Sequence, residues 1–225
     1  MCVIFTQEEG FEIDDQTFDY AFESNPDGIG AIWMNENGSV ETYFNLGDLD
    51  AFKEAYNTLI FQRKALIHFR FATAGEVSFQ NLHPFEIAPD VWMAHNGTLN
   101  IEPGPDGESD TLMFVRQMRE TFEDIPWWRD EFLCELVEGW AGWSRFAFFD
   151  TDIGEFFYIN RQSGVEVNEG VWASNDYSLK PSRRWATTSK FAGFGRFSGY
   201  AYDEDKEPSE DELLALELEE AEVVG

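Results

Sequence analysis

Short apolar segments typical of β-strands are spread over both halves of the chain, with helical segments between them. Strand-like segments occupy residues 2–5, 29–34, 39–44, 65–71, 91–94, 145–149, 156–160, 171–174 and 185–188. Helical segments are predicted at residues 14–23, 49–61, 109–121 and 127–137. The pattern predicts a fold in which α-helices and β-strands are mixed throughout.

The composition changes near the end of the chain. Residues 203–208 form an acidic linker, after which Ser209 and Glu212 fit a capping box, with Leu214, Leu218 and Ala221 in one narrow stripe. We therefore predict one domain over residues 2–202 and an acidic tail over residues 203–225. The tail is either a solvated, partly disordered segment or a helix that binds a partner.

The charge of the chain limits its binding partners. The 225 residues carry a formal net charge of -29, which argues against direct contact with nucleic acid or anionic lipid, since both need clustered basic residues. Aromatic residues make up 16% of the chain, which is ample for a large core. No apolar run approaches the roughly 18 residues of a membrane span, and the N-terminus lacks the basic region of a signal peptide. We expect a cytoplasmic protein that does not bind membranes.

The two cysteines are too few for a disulfide framework. Cys134 lies in a predicted helix and is expected to be a buried structural thiol. Removal of Met1 would leave Cys2 with a thiol and a free α-amine, whose reference pKa of about 7.7–8.0 suits it to act as a local base. By itself a Met-Cys start is a weak signal, because most have no catalytic meaning.

Three further segments carry residues suited to binding an amino acid. Arg70 ends a predicted strand and suits a carboxylate. Asn96 and the backbone N–H of Gly97 are suited to an oxyanion hole, and Asp110 at a helix start suits an ammonium group. Each also has a simpler interpretation: a surface ion pair for Arg70, an ordinary turn for Asn96 and Gly97, a helix cap for Asp110. Together with Cys2 they describe a pocket for an α-amino acid with a side-chain amide.

An ordered set of motifs resembles the class II glutamine amidotransferases, especially small stand-alone forms of bacteria and bacteriophages. The motifs are Met1-Cys2, Asn25-Pro26-Asp27-Gly28, His68-Phe69-Arg70-Phe71-Ala72-Thr73, Asn81-Leu82-His83-Pro84-Phe85, His95-Asn96-Gly97 and Ser109-Asp110-Thr111. A weaker likeness continues through residues 142–177. The resemblance implies an α+β fold, the four-layer αββα sandwich of N-terminal-nucleophile hydrolases.

The resemblance also implies a role for each site residue. Cys2 is the nucleophile, Arg70 and Thr73 hold the glutamine α-carboxylate, Asn96 and the Gly97 N–H form the oxyanion hole, and Asp110 binds the α-ammonium. The implied reaction is hydrolysis of glutamine to glutamate and ammonia through a γ-glutamyl thioester, with no cofactor.

Two residues depart from the family pattern. Val3 stands where members often have Gly, which affects the shape of the N-terminal loop. Ala74 stands where they often have His, which implies weaker or altered substrate binding rather than loss of chemistry. The histidines, His68, His83 and His95, lack the close spacing of a metal site, so we predict no metal and expect all three to pack or hydrogen-bond.

Almost no chain remains for a synthetase domain, so the resemblance implies that the ammonia acceptor is a partner protein. Two alternatives stay open. The protein could hydrolyse another γ-glutamyl or amide compound, or it could be an inactive interaction module that keeps the fold.

Overall fold

The structure is a computed structural model and describes residues 2–123 and 125–180. The predicted strand at residues 185–188 and the acidic tail at residues 203–225 lie outside the described residues. The predicted boundary at residue 202 therefore remains a prediction.

The described residues form ten strands in two antiparallel sheets. The strands are β1 (Val3–Gln7), β2 (Gly28–Met34), β3 (Val40–Asn45), β4 (Ala65–Arg70), β5 (Phe85–Ala88), β6 (Val91–Asn96), β7 (Arg145–Asp150), β8 (Glu155–Ile159), β9 (Val165–Asn168) and β10 (Val171–Ala173). Sheet I has the order β3-β2-β4-β1-β10-β9, and sheet II has the order β5-β6-β7-β8. The two ends of the described chain thus meet in sheet I, because β1 pairs with both β4 and β10.

Four α-helices lie in the described part of the chain: α1 (Asp15–Ser24), α2 (Leu49–Ala55), α3 (Asp110–Phe122) and α4 (Glu131–Ala141). Each begins after a polar residue whose side chain accepts a hydrogen bond from the first turn. These caps are Asp14, Asp48, Ser109 and Asp130. The starts of the helices are therefore set by local side-chain chemistry.

Three apolar clusters define four layers. Phe18 of α1 and Phe52 of α2 pack on one face of sheet I, and Phe114 of α3 packs on one face of sheet II. A third cluster joins the remaining faces of the sheets, with Ile4 from sheet I and Phe149 from sheet II among its members. Successive residues of a strand point to opposite faces, so both sheets contribute to two clusters each. The order is helices, sheet I, sheet II, helices, and the predicted αββα sandwich is confirmed.

The structure differs from the sequence-based prediction at several element boundaries. The strands Phe85–Ala88 and Val165–Asn168 were not predicted, because each lies at the edge of a sheet and an exposed glutamate interrupts its apolar residues. The helix predicted over residues 49–61 changes to a wider π-helical turn at Tyr56–Ile60. The helix predicted over residues 127–137 is a short 3-10 turn and then α4, because Asp130 has an extended backbone and caps the second part.

Candidate active site

Cys2 and Arg70 are brought together by the register of β1 on β4. Val3 pairs with Phe69 in this antiparallel ladder, so Cys2 and Arg70 lie at the same end of neighbouring strands. Cys2 has the same parity as Ile4, whose side chain lies between the two sheets. Both residues are buried, with 9% of Cys2 and 3% of Arg70 exposed. The interpretation of Arg70 as a member of a surface ion pair is therefore wrong.

Five of the six predicted site residues line one pocket at this end of the sandwich: Cys2, Arg70, Thr73, Gly97 and Asp110. Asn96, the sixth, directly precedes Gly97 in the chain and is fully buried. The free volume of the pocket is about 20 Å³, room for roughly one water molecule. Residues up to 108 positions apart in sequence, Cys2 and Asp110, thus converge, but the pocket is nearly closed in this conformation.

The thiol of Cys2 interacts with the backbone of Phe71. The Phe71 N–H donates to the sulfur at an N–S distance of 3.4 Å, and the sulfur lies 3.5 Å from the Phe71 carbonyl oxygen. Burial raises the pKa of the Cys2 thiol, while the Phe71 N–H and the charge of Arg70 act in the opposite direction. Burial thus disfavours the thiolate form of Cys2, while the Phe71 N–H and the charge of Arg70 favour it.

The guanidinium of Arg70 is only partly satisfied by the protein. Its Nη2 donates to the carbonyl of Ala74 at 3.1 Å, while its buried Nη1 has no hydrogen-bond partner among the described residues. Burial lowers the pKa of Arg70, and the neighbouring Cys2, Asp27 and Asp110 raise it. A buried guanidinium with a free donor is suited to an anionic group, since a carboxylate would supply the missing acceptors.

Asp110 lies at the first residue of α3 and is held by backbone donors. Its two carboxylate oxygens accept from the N–H of Leu99 at 2.7 Å and from its own neighbour Thr111 at 2.8 Å. Ser109 caps the helix by accepting from Leu112 N at 3.2 Å. The capping interpretation therefore applies to Ser109, while Asp110 brings a buried negative charge to the pocket wall.

Asn96 ends β6 and is not in an ordinary turn. Its Nδ2 donates to Ser174 Oγ at 2.9 Å, across from sheet II to the end of sheet I. Gly97 follows with a φ of +153°. A Cβ on Gly97 would overlap the Oγ and Cα of Ser144, so this position requires glycine for close approach as well as for conformation.

Three residues that support the site were not assigned a role from the sequence. Asn175 Nδ2 donates to the Cys2 carbonyl at 2.9 Å, and Ser174 Oγ accepts from Ile4 N at 2.9 Å. Asp27 accepts from Ala72 N at 2.8 Å and so fixes the chain just after Arg70. Both stretches, 25–28 and 172–176, carry family-like motifs, but no local signal indicates contacts that span up to 173 positions.

A fourth unassigned residue, Tyr177, lies next to Asn96. Burial raises the pKa of Tyr177 to about 12, and a hydrogen bond with the Asn96 side chain lowers it in part. The carboxamide of Asn96 thus has the hydroxyl groups of Ser174 and Tyr177 as neighbours.

The three histidines form a buried group at the pocket, whose lining includes His83 and His95. The ring centroids of His68 and His83 are 4.2 Å apart, those of His83 and His95 are 6.4 Å apart, and His95 Nδ1 lies 2.8 Å from Thr111 Oγ1. Burial lowers the pKa of His68 and of His95 to about 3 and lowers that of His83 well below its ordinary value. All three are therefore neutral at pH 7. Within residues 2–123 and 125–180, no group of three His, Cys, Asp or Glu residues could hold a metal ion.

A larger cleft of about 650 Å³ lies at the opposite ends of β1 and β4, lined by Glu8, Arg63 and Lys64 among others. Its charged side chains pair with each other, as in the Lys64–Glu8 ion pair at 2.8 Å. It contains neither cysteine, so its size does not make it the better candidate site.

Cys134 is half-buried, points to the Trp127 and Trp128 carbonyls, and has a pKa raised to about 11 by burial.

None of the helices in the described segments has the length and apolar character needed to cross a membrane.

Comparisons with known proteins give distant similarity to several solved structures, among them two amidotransferase-type proteins. No protein-family model and no curated protein matches the chain. One structure is glutamine phosphoribosylpyrophosphate amidotransferase from B. subtilis, at 12% identity and a TM-score of 0.47, covering 79% of this chain and 42% of that one. The other is a glutamine aminotransferase class-II domain protein from Silicibacter pomeroyi, at 15% identity and a TM-score of 0.41, covering 77% of this chain and 87% of that one. The fold and site described above rest on the residues of this chain alone.

Proposed function

We propose that the protein is a glutaminase of the class II glutamine amidotransferase type, with Cys2 as nucleophile. The observation that carries this proposal is the single pocket in which a buried thiol is flanked by Arg70 and by Asp110. A positive and a negative side chain on one pocket wall suit the α-carboxylate and α-ammonium of an amino acid. The nucleophile then faces the far end of that ligand, where glutamine has its amide.

The proposed reaction has two halves. The Cys2 thiolate attacks the side-chain carbonyl carbon of glutamine and forms a C–S bond, and the Asn96 amide and Gly97 N–H stabilise the oxyanion. The C–N bond then breaks, and ammonia leaves with a proton from the Cys2 α-amine. Water attacks the thioester and the amine takes one of its protons; the C–S bond then breaks, and that proton passes from the amine to the sulfur, which releases glutamate and restores the thiol. This mechanism requires that Met1 is removed.

Substrate entry requires the pocket to open. The volume of about 20 Å³ is too small for glutamine, and the contacts of Phe71 with Cys2 and of Ala74 with Arg70 close it. The next part of this loop is anchored, since Glu76 N donates to Gly107 O at 2.8 Å and Asn81 Nδ2 donates to the same oxygen at 2.8 Å. Ala72 N is held by Asp27, so we place the opening movement in residues 73–75, with Thr73 then free to contact the carboxylate.

The test is ammonia release from glutamine by the full-length protein, combined with intact-mass measurement of its N-terminus. We expect an active preparation to lack Met1. Full retention of Met1 in active protein would contradict the mechanism. A glutamine-like electrophile should modify Cys2, and protein modified at Cys2 should release no ammonia.

A second candidate is hydrolysis of another γ-glutamyl or amide compound. It is favoured by Ala74, which lines the pocket where the resembling family often has a larger histidine. Turnover of a γ-glutamyl anilide without turnover of glutamine would support this alternative. If neither compound reacts and neither labels Cys2, the chain is an inactive interaction module.

We further propose that the ammonia acceptor is a partner protein, of the synthetase type or another class, and that the partner stimulates the reaction. Unregulated hydrolysis would release ammonia to solvent before an acceptor could use it. The acidic segment at residues 203–225 is the proposed docking element, meeting a basic surface on the partner. Deletion of residues 209–225 should weaken binding in a salt-dependent way and leave basal ammonia release intact, because it removes no proposed catalytic residue.

A further inference from the structure

The hydrogen bonds around Asn96 and Ser174 leave two buried groups without partners. As placed, Asn96 Nδ2 donates to Ser174 Oγ, and the buried Asn96 Oδ1 has no hydrogen-bond partner among the described residues. Ser174 Oγ already accepts from Ile4 N at 2.9 Å, so it accepts twice. None of the described residues accepts the proton of the Ser174 hydroxyl. Buried polar groups are rarely left unpaired in this way.

Rotating the Asn96 carboxamide by 180° pairs both of these groups and leaves the N–H groups of the amide as the free donors. The oxygen and nitrogen of an amide have nearly the same shape, so their assignment follows from the hydrogen bonds they make. After rotation, the Ser174 O–H donates to Asn96 Oδ1 across the same 2.9 Å, an ordinary O–H···O distance. Ser174 Oγ then accepts only from Ile4 N, and the Asn96 nitrogen takes the place of the unpaired oxygen.

We propose that Ser174 is the positioning residue of the oxyanion hole: its hydroxyl donates to Asn96 Oδ1 and thereby turns the Asn96 amide N–H groups away from itself and toward the reacting carbonyl. The inference deepens the proposed function, and its kinetic test rests on that function. The same hydroxyl accepts from Ile4 N, two residues after the nucleophile. The Ser174 side chain therefore holds the strand that begins after Cys2 and also orients the Asn96 amide that stabilises the oxyanion.

The surroundings of Ser174 make this arrangement rigid. Ser174 and Asn96 are both fully buried, so no solvent competes for the bond between them. The Ser174 N–H donates to the Ile4 carbonyl at 2.9 Å, and the adjacent Asn175 donates to the Cys2 carbonyl. A donor held in advance at the oxyanion position needs no reorganisation during the reaction.

The kinetic test is a double-mutant cycle of Ser174→Ala and Asn96→Ala in the full-length protein. Ser174→Ala should lower kcat by about tenfold or more, the kinetic equivalent of one hydrogen bond, with little change in KM. If Ser174 acts mainly through Asn96, Ser174→Ala should slow the Asn96→Ala variant far less than it slows the wild type. Ser174→Thr, which keeps the hydroxyl, should recover part of kcat. Additive losses in the cycle would overturn the inference, because a merely structural role gives additivity.

A matched control is Ser178→Ala. Ser178 is also fully buried, accepts from Asn25 Nδ2 at 3.2 Å, and makes no bond to Asn96. Its loss should leave kcat within about twofold of the wild type and alter only the unfolding midpoint. An equal loss of kcat in Ser178→Ala and Ser174→Ala would contradict a specific role for Ser174.

A second measurement is independent of turnover. Neutron diffraction from deuterated crystals distinguishes an ND₂ group from an oxygen, and we expect the two deuterons on the Asn96 atom that points away from Ser174. Deuterons on the atom that faces Ser174 would overturn the inference whatever the substrate is. If the wild type releases no ammonia from glutamine while the deuterons are found as expected, the proposed function fails and the hydrogen-bond assignment stands.

Discussion

The sulfur of Cys2 lies 3.4 Å from the backbone nitrogen of Phe71, the residue that follows Arg70. One short stretch of chain thus supplies the thiol with a backbone donor and with a neighbouring positive charge. Both lower the pKa of Cys2 against the larger, opposite effect of burial. Two groups at the end of β4 and just after it therefore favour the thiolate form of Cys2.

The first prediction concerns the charge of Arg70. Arg70→Met should raise the pKa of Cys2 further, because it removes a charge that stabilises the thiolate. The rate of Cys2 alkylation by iodoacetamide at pH 7.5 should fall, and its pH midpoint should move upward. Arg63→Met, at the far end of the sheet, is the matched control and should leave the midpoint in place. An unchanged or lower midpoint in Arg70→Met would show that Arg70 does not act on the thiol.

The second prediction separates the two cysteines. Cys2→Ala should abolish ammonia release and leave the unfolding midpoint near that of the wild type, because only the thiol forms the covalent bond. Cys134→Ala should keep activity, since its thiol contacts only carbonyls of the turn before α4. Activity assays and denaturation curves of both variants check this. Loss of activity in a well-folded Cys134→Ala, with activity kept in Cys2→Ala, would mean that the wrong cysteine was chosen.

The third prediction distinguishes the kinetic effect of Asn96, the oxyanion donor, from that of Arg70, which binds the substrate carboxylate. Asn96→Ala should lower kcat by about 10²–10³, the usual loss for one oxyanion donor. Arg70→Ala should act mainly by raising KM, since it binds the unreactive end of the ligand, with some loss of kcat because that end aligns the reacting carbon. Steady-state kinetics with glutamine measure both. An unaffected kcat in Asn96→Ala would remove Asn96 from the site.

The fourth prediction concerns Asp110, which serves both the fold and the pocket. Asp110→Asn should raise KM and also reduce the free energy of unfolding by about 1–3 kcal/mol, because one of two buried backbone donors loses its acceptor. Asp130→Ala removes the cap of α4 and should cost about 1 kcal/mol with KM unchanged. Urea denaturation and kinetics on the two variants check the distinction. A KM equal to that of the wild type in Asp110→Asn would exclude ammonium binding by Asp110.

The fifth prediction is that the buried histidines make stability fall in acid. The pKa of His68 and of His95 is about 3 in the folded protein, below the ordinary 6.5, so between these values the unfolded chain binds protons that the folded chain does not. The free energy of unfolding should therefore fall as the pH is lowered from about 6.5, by about 1.4 kcal/mol per pH unit for each such histidine.

Replacement of one histidine isolates this effect from the titration of carboxylates. His68→Phe keeps a ring against His83 and removes one titrating group. Its unfolding free energy between about pH 4 and pH 6 should depend less steeply on pH than that of the wild type, by roughly one proton. Equal slopes for the two proteins would show that His68 is not held neutral by the fold.

The sequence alone determined the parts of the protein that depend on neighbouring residues. The start of α3 follows from Ser109, whose side chain reaches the backbone three residues on, and the strands of both sheets follow from apolar runs whose pattern is local. The edge strands Phe85–Ala88 and Val165–Asn168 were not predicted because an exposed glutamate interrupts the apolar residues of each. The tertiary structure decided their pairing.

Some residues of the candidate site were likewise indicated by the sequence, and others were identified only by the tertiary structure. Residue types and motif order indicated Cys2, Arg70, Thr73, Asn96, Gly97 and Asp110, because thiol, guanidinium, amide and carboxylate chemistry can be recognised in the sequence. The roles of Ser174, Asn175 and Asp27 depended on the fold, which brings the last described strand of sheet I beside the first and places Ser174 against both Ile4 and Asn96. Hydrogen bonds across up to 173 positions are set by strand order and register, which local sequence patterns do not specify.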